Sequence, residues 1–88
     1  MRVATISETP ALILYSTSAC HLCDQALLLV NALQLPGLSL TITDVSESDE
    51  LFERYGLRIP VLRREDNGAE LGWPFDADTV HAFLQGGS

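Results

Sequence analysis

Ala11-Leu12-Ile13-Leu14-Tyr15-Ser16-Thr17-Ser18-Ala19-Cys20-His21-Leu22-Cys23 is the stretch that decides the fold. Ala11 to Tyr15 is an unbroken apolar run too short for a helix, so it reads as a strand covered on both faces and therefore central. Ser16 to Ala19 supply a turn of small residues. From Cys20 to Leu35 the apolar positions Cys23, Ala26, Leu27, Val30 and Leu33 recur at helical spacing. Asp24, Gln25, Asn31 and Gln34 form the thin polar side of that helix, and Pro36-Gly37 is its expected stop. The unit is thus a central strand, a tight turn and a helix, with both cysteines where the turn becomes helix.

The rest of the chain completes a sheet around this unit. Leu38, Leu40 and Ile42 alternate with Ser39, Thr41 and Thr43, the pattern of a half-buried edge strand. Ser46-Glu47-Ser48-Asp49 has the spacing of a capping box, with Asp in place of Glu. It predicts a short helix with Leu51, Phe52 and Tyr55 inward and Gly56 at its end. Val61-Leu62-Arg63-Arg64 and Ala69-Glu70-Leu71-Gly72-Trp73 flank Asp66-Asn67-Gly68, and Asn-Gly between two strands signals a hairpin. Asp76 is placed to cap a last helix carrying Val80, Phe83 and Leu84. The order is β-α-β-α-β-β-α, with a parallel crossover first and a hairpin second. The expected fold is α/β: a four-stranded mixed sheet with helices on both faces, residues 1–88 forming one domain and residues 1–10 and 85–88 its loose ends.

Composition narrows the function. Five arginines, no lysine and twelve acids give a net charge of −7. Such a field repels phosphate backbones and anionic lipid, which argues against nucleic-acid and membrane-surface partners. No apolar run approaches a membrane span. Met1-Arg2-Val3-Ala4-Thr5 lacks the long apolar segment of a secretory signal, so a cytoplasmic protein is the expectation, and a monomer is expected besides. The acids Asp44, Glu47, Asp49, Glu50 and Glu53 read most simply as a solvated face.

Cys20 and Cys23 make a weak staple, because closing so short a loop constrains the unfolded chain by only ~2 kcal/mol. They make a better reactive pair. A helix N-terminus offers free N–H groups and a partial positive charge that favour a thiolate, so Cys20, at the cap, is the expected nucleophile. Cys23, one turn further on, shares its helix face and can attack a mixed disulfide on Cys20. His21, when protonated, would add to the stabilisation of the Cys20 thiolate, although a solvated residue in an exposed turn is the favoured reading. Half of a zinc site has the same Cys-x-x-Cys spacing, but only His21 and the distant His81 could complete it.

The topology, together with Tyr15 to Cys23 after the first strand and Arg58-Ile59-Pro60-Val61 before the hairpin, resembles the small bacterial glutaredoxin-like proteins of the thioredoxin-fold superfamily. The resemblance runs from Leu12 to Leu84 and implies a minimal thioredoxin/glutaredoxin-like fold. It also implies a cis Ile59–Pro60 bond beside the cysteines, with the Ile59 backbone pairing with a substrate peptide. The implied activity is thiol–disulfide exchange on a protein or glutathione disulfide. Glutathione would be a co-substrate, and no cofactor is bound tightly.

The chain departs from that family in three places. Ser16-Thr17-Ser18-Ala19 brings no basic residue to the cysteines; Arg58-Ile59-Pro60 replaces Thr-Val-Pro; and Leu71-Gly72-Trp73-Pro74-Phe75-Asp76 replaces a Gly-Gly-x-Asp loop, so that only Gly72 and Asp76 carry over. Arg58 is a candidate for a substrate carboxylate, or else pairs with the acids between Asp44 and Glu53. Trp73 and Phe75 are either a contact surface or core. Two other readings remain. A soft-metal carrier would use the same two thiols but needs a hairpin directly after the first helix. A non-enzymatic binding module of the same fold would use Ile59, Trp73 and Phe75.

Overall fold

The computed structural model describes residues 11–35 and 37–86. Strand β1 is Leu12–Ser16, helix α1 is His21–Ala32, strand β2 is Leu40–Asp44 and helix α2 is Asp49–Tyr55, preceded by a single 3₁₀ turn at Val45–Glu47. Strands β3 (Val61–Arg64) and β4 (Glu70–Gly72) and helix α3 (Ala77–Gly86) complete the domain. The four strands lie in the order β2-β1-β3-β4. β1 runs parallel to β2, Leu14 opposite Ile42, and antiparallel to β3, Leu14 opposite Leu62; β3 and β4 pair as a hairpin. This is the minimal thioredoxin-like architecture.

Strand alternation divides the core between the two faces of the sheet. Leu12, Leu14 and Leu62 point to one face and pack with Ala26, Val30, Phe75 and Val80 from α1, α3 and the loop before α3. Tyr15 and Val61 point to the other and pack with Val45 and Tyr55, with Ile13, Leu51 and Ile59 at the margin. β1 contributes to both layers, which is why its sequence is apolar throughout.

Several local expectations are corrected. α1 ends at Ala32, because Gln34 adopts a left-handed backbone (φ 50°) and its N–H closes back on the Asn31 carbonyl. The expected stop came later, and of its two residues Pro36 lies outside the described ones. α2 is capped by Ser48, whose hydroxyl accepts the Leu51 N–H at 3.3 Å, not by Ser46. Ser46 is already engaged: its N–H and hydroxyl both donate to Asp44 Oδ1, at 2.9 and 2.7 Å. That contact holds the Asp44 carboxyl below its ordinary pKa.

Ile42 and Phe52, expected inward, are exposed: β2 is an edge strand, and the face of α2 that packs on the sheet carries Leu51 and Tyr55. The hairpin forms with Gly68 at φ 75° and the Ala69 N–H donating to Asn67 Oδ1. α3 runs through Gln85 and Gly86, expected in a loose tail. Residues 1–10 and 87–88 of the expected loose ends lie outside the described residues.

Arg64 explains why α3 persists. Its buried guanidinium forks onto Asp66, Nε to Oδ1 at 3.0 Å and the second nitrogen to Oδ2 at 2.6 Å. Its remaining nitrogen donates to the Phe83 and Leu84 carbonyls at 2.9 and 3.0 Å. Those carbonyls lie in the last turn of α3, where no intrahelical N–H is left to serve them. One arginine therefore ties the hairpin to the helix end.

Candidate redox site

The candidate redox site lies where β1 meets α1. Register places the neighbouring strand ends beside it: Ser16 opposite Asp44 in β2, Tyr15 opposite Val61 in β3, and Val61 opposite Gly72 in β4. The segments that run beyond those ends, Thr17 to Cys20, Arg58-Ile59-Pro60 and Trp73, thus leave the same end of the sheet. The Trp73 N–H donates to the Pro60 carbonyl at 3.1 Å and joins two of these segments. Ile59–Pro60 is cis, and so is Trp73–Pro74.

Cys20 is the N-cap of α1, with extended backbone and its sulfur accepting the Cys23 N–H at 3.2 Å. A sulfur thus takes the place usually filled by a Ser or Asp oxygen. Cys20 and Cys23 are joined as a disulfide, with their Cα atoms 5.2 Å apart. Cys23 is buried at 4 % exposure, whereas Cys20 is only partly covered. The two sulfurs are therefore inequivalent: one caps the helix at the surface and the other lies one turn into the core. Ala19, immediately before the cap, has φ 64°. That left-handed conformation costs a non-glycine residue about 1–2 kcal/mol.

His21 and Leu22, between the cysteines, are both exposed. Arg58 is exposed and pairs with Glu70 at 3.3 Å, not with the acids between Asp44 and Glu53. Gly72 is an exposed β4 residue with open space where a Cβ would project. Asp76 caps α3: its Oδ1 accepts the Thr79 N–H and the Thr79 hydroxyl, both at 2.8 Å. The Thr79 N–H, then its hydroxyl, holds the Asp76 carboxyl below the usual range. Trp73 is half-buried and meets Phe75 edge to face at 5.0 Å. Phe75 is 7 % exposed and belongs to the core, so a contact surface has only the Trp73 side of this pair to use.

Ile59 differs from the expectation in a way that matters for chemistry. Its N–H already donates to the Tyr55 carbonyl at 3.0 Å, and the Arg58 N–H donates to the same oxygen at 2.7 Å. Pro60 has no N–H. Full two-way backbone pairing at Ile59 is therefore not open to a substrate strand, and its carbonyl is the remaining half of the pair.

Sequence reasoning missed the support under this segment. Tyr55 is fully buried, stacks on Tyr15 at 4.1 Å between ring centroids, and donates its hydroxyl to Glu70 Oε2 at 2.5 Å. Burial first, and the Glu70 contact second, push the Tyr55 hydroxyl above its ordinary pKa. The Arg58 guanidinium carbon lies 5.6 Å from the centre of the Tyr55 ring. The one local signal is a tyrosine in the last two residues of each of two elements, β1 and α2.

Among the described residues no group of three or more His, Cys, Asp or Glu side chains is placed to hold a metal ion, and no helix is long and apolar enough to cross a membrane.

Comparison with known proteins agrees with this geometry. The crystal structure of target protein XcR50 from X. campestris is similar, with 38 % identity over 88 % of this chain and 99 % of that one, and a TM-score of 0.78. The solution structure of XcR50 matches at 38 % identity, 89 % and 96 % coverage and a TM-score of 0.75. The solution structure of protein Ne2328 from Nitrosomonas europaea has 28 % identity, 88 % and 93 % coverage and a TM-score of 0.75. No curated protein matches the chain. The family model described as Glutaredoxin-like domain (DUF836) matches residues 11–85. With that match spanning nearly all of the described residues, and a Cys-x-x-Cys pair at the start of α1, the chain belongs to the glutaredoxin-like domain family.

Proposed function

We propose that the protein is a thiol–disulfide oxidoreductase acting on protein disulfides or glutathione mixed disulfides, with Cys20 as nucleophile and Cys23 as resolving thiol. The observation that carries this reading is the N-cap position of Cys20, with the Cys23 N–H on its sulfur. In the reduced protein the same N–H and the positive end of α1 favour the Cys20 thiolate. That thiolate attacks one sulfur of the substrate disulfide, forms a mixed disulfide and releases the first substrate thiolate. The Cys23 thiolate then attacks the Cys20 sulfur, closes the Cys20–Cys23 disulfide and releases the second. The substrate gains two electrons and the protein loses two. Reduction by glutathione runs the same steps in reverse.

The other residues have supporting roles in this reading. The Ile59 carbonyl accepts a substrate backbone N–H, and Pro60 keeps a backbone donor away from the exchanging sulfurs. Trp73 gives an apolar flank to a protein substrate beside the open surface at Gly72, and His21 adds positive charge at the thiolate when protonated. Asp76, with its Oδ1 taken by Thr79, keeps Oδ2 for a substrate ammonium, and Arg58 is the candidate cation for a carboxylate. With few charge contacts available, glutathione turns over slowly.

The test is titration across a series of reduced-to-oxidised glutathione ratios, read by intact mass. The expected result is reversible loss of two hydrogens, with glutathione adducts as a minor species. Thiols that stay reduced across the series, or that end only as a stable adduct, would overturn the proposal.

A further inference from the structure

We infer that Glu70 is a specificity-determining residue that screens Arg58 from anionic substrates, so that the site favours neutral and cationic disulfides over glutathione disulfide. The inference rests on the thiol-exchange reading above. Arg58 directly precedes Ile59-Pro60, and its side chain is 52 % exposed, as a residue recruiting a carboxylate from solution would be. Yet its guanidinium already has a carboxylate, Glu70 Oε1 at 3.3 Å. An isolated exposed pair of this kind would yield readily to a competitor. This one is anchored from behind. The other Glu70 oxygen accepts the hydroxyl of the buried Tyr55, and the Glu70 side chain is only 26 % exposed. Tyr55 also holds Arg58, through the backbone N–H bond to its carbonyl and through the guanidinium over its ring. A substrate carboxylate must therefore share Arg58 with a carboxylate that cannot swing away without abandoning Tyr55.

The surroundings work in the same direction. Asp44 opposite Ser16, followed by Glu47, Asp49, Glu50 and Glu53, adds negative charge on the β2–α2 side of this end of the sheet. The approach from Ser16 to Ala19 carries no cation. Arg54, 6.0 Å from the centre of the Tyr55 ring, offsets part of that negative charge, but the chain as a whole carries −7.

The experiment measures second-order rates of the reduced protein with three small disulfides: anionic glutathione disulfide, neutral hydroxyethyl disulfide and cationic cystamine. Each exchange ends with the Cys20–Cys23 disulfide and two released thiols, so one readout serves all three. The neutral rate is the internal reference. In the wild type, cystamine should exceed the reference and glutathione disulfide should fall below it. Glu70→Gln keeps an acceptor for Tyr55 while freeing the Arg58 charge. It should raise the glutathione-to-neutral ratio about three- to fivefold, the rate equivalent of an exposed ion pair, with the gain shrinking in high salt. In the Arg58→Gln/Glu70→Gln double variant the gain should fall by at least half. An unchanged ratio in Glu70→Gln, or an equal gain without Arg58, would overturn the inference and leave the exchange reading standing. Failure of all three disulfides to react with the wild type would overturn both.

Discussion

The two faces of the sheet solve the same problem with different materials. On one, α1 and α3 cover Leu12, Leu14 and Leu62 with aliphatic side chains and Phe75. On the other, a single helix, α2, of seven residues has to cover Tyr15 and Val61. Its own apolar supply is too small, and Phe52 points to solvent. The gap is filled by the stacked Tyr15–Tyr55 pair, by the Tyr55–Glu70 hydrogen bond and by Arg58 over the ring. Tyrosine and arginine suit this work because each covers apolar surface with its body and satisfies a polar tip at the margin. The α1–α3 face is packed with apolar side chains, and the α2 face adds polar contacts that reach Arg58.

The largest stability effect should come from the aliphatic face. Leu62→Ala removes a fully buried side chain and should cost about 2–5 kcal/mol, measured by urea unfolding. The loss should leave the ratio of substrate rates unchanged, since no charged group near Cys20 is touched. A changed ratio would show that the two faces are not separable.

Tyr55→Phe should cost less, about 1.5 kcal/mol, because it removes one hydrogen bond to a carboxylate that can partly rehydrate. Its effect should be local. Amide exchange should accelerate at Arg58 and Ile59, whose N–H groups both rest on the Tyr55 carbonyl, and hold steady in the middle of α1. Equal acceleration in α1 would remove the distinction between the faces.

The smallest effect is that of pH, and its sign differs between groups. Asp44, Asp66 and Asp76 all have depressed folded-state pKa values, held down by Ser46, by Arg64 and by Thr79 respectively. The unfolded chain therefore binds protons first. The stability these carboxylates contribute is complete above the unfolded value of about 4 and is lost as pH falls through their folded values. Tyr55 behaves in the opposite way, because its folded-state pKa is raised. Its contribution is complete below the unfolded value of about 10 and is lost as pH climbs beyond it. Urea midpoints should therefore be flat near neutrality and fall at both extremes. Tyr55→Phe should soften only the alkaline fall, and a change in the acid limb would contradict the assignment.

Much of this was legible in the sequence because it is local. The apolar run of β1, the helical spacing after Cys20, Asn67-Gly68 at the hairpin and Asp76 before α3 each encode their structure within a few residues. The cysteine pair was legible for the same reason. What escaped reading depends on distant partners. Ser46 and Ser48 compete for one capping role, and the outcome turns on Ser46 lying inside the 3₁₀ turn that Asp44 caps. Arg64 meets carbonyls 19 and 20 residues away, and Tyr55 meets Glu70 across 15. Spacing does not report such contacts. Nor does alternation reveal that Ile42, on the edge strand, stays exposed.

The most direct test of the account compares the two single-cysteine variants in the reduced state with oxidised glutathione. Cys23→Ser keeps the helix-capping sulfur and loses the thiol that resolves the adduct, so a mixed disulfide on Cys20 should form and accumulate. Cys20→Ser leaves only the buried Cys23 and should react far more slowly. Equal labelling rates in the two variants, or faster labelling of Cys23, would contradict the assignment of Cys20 as the nucleophile.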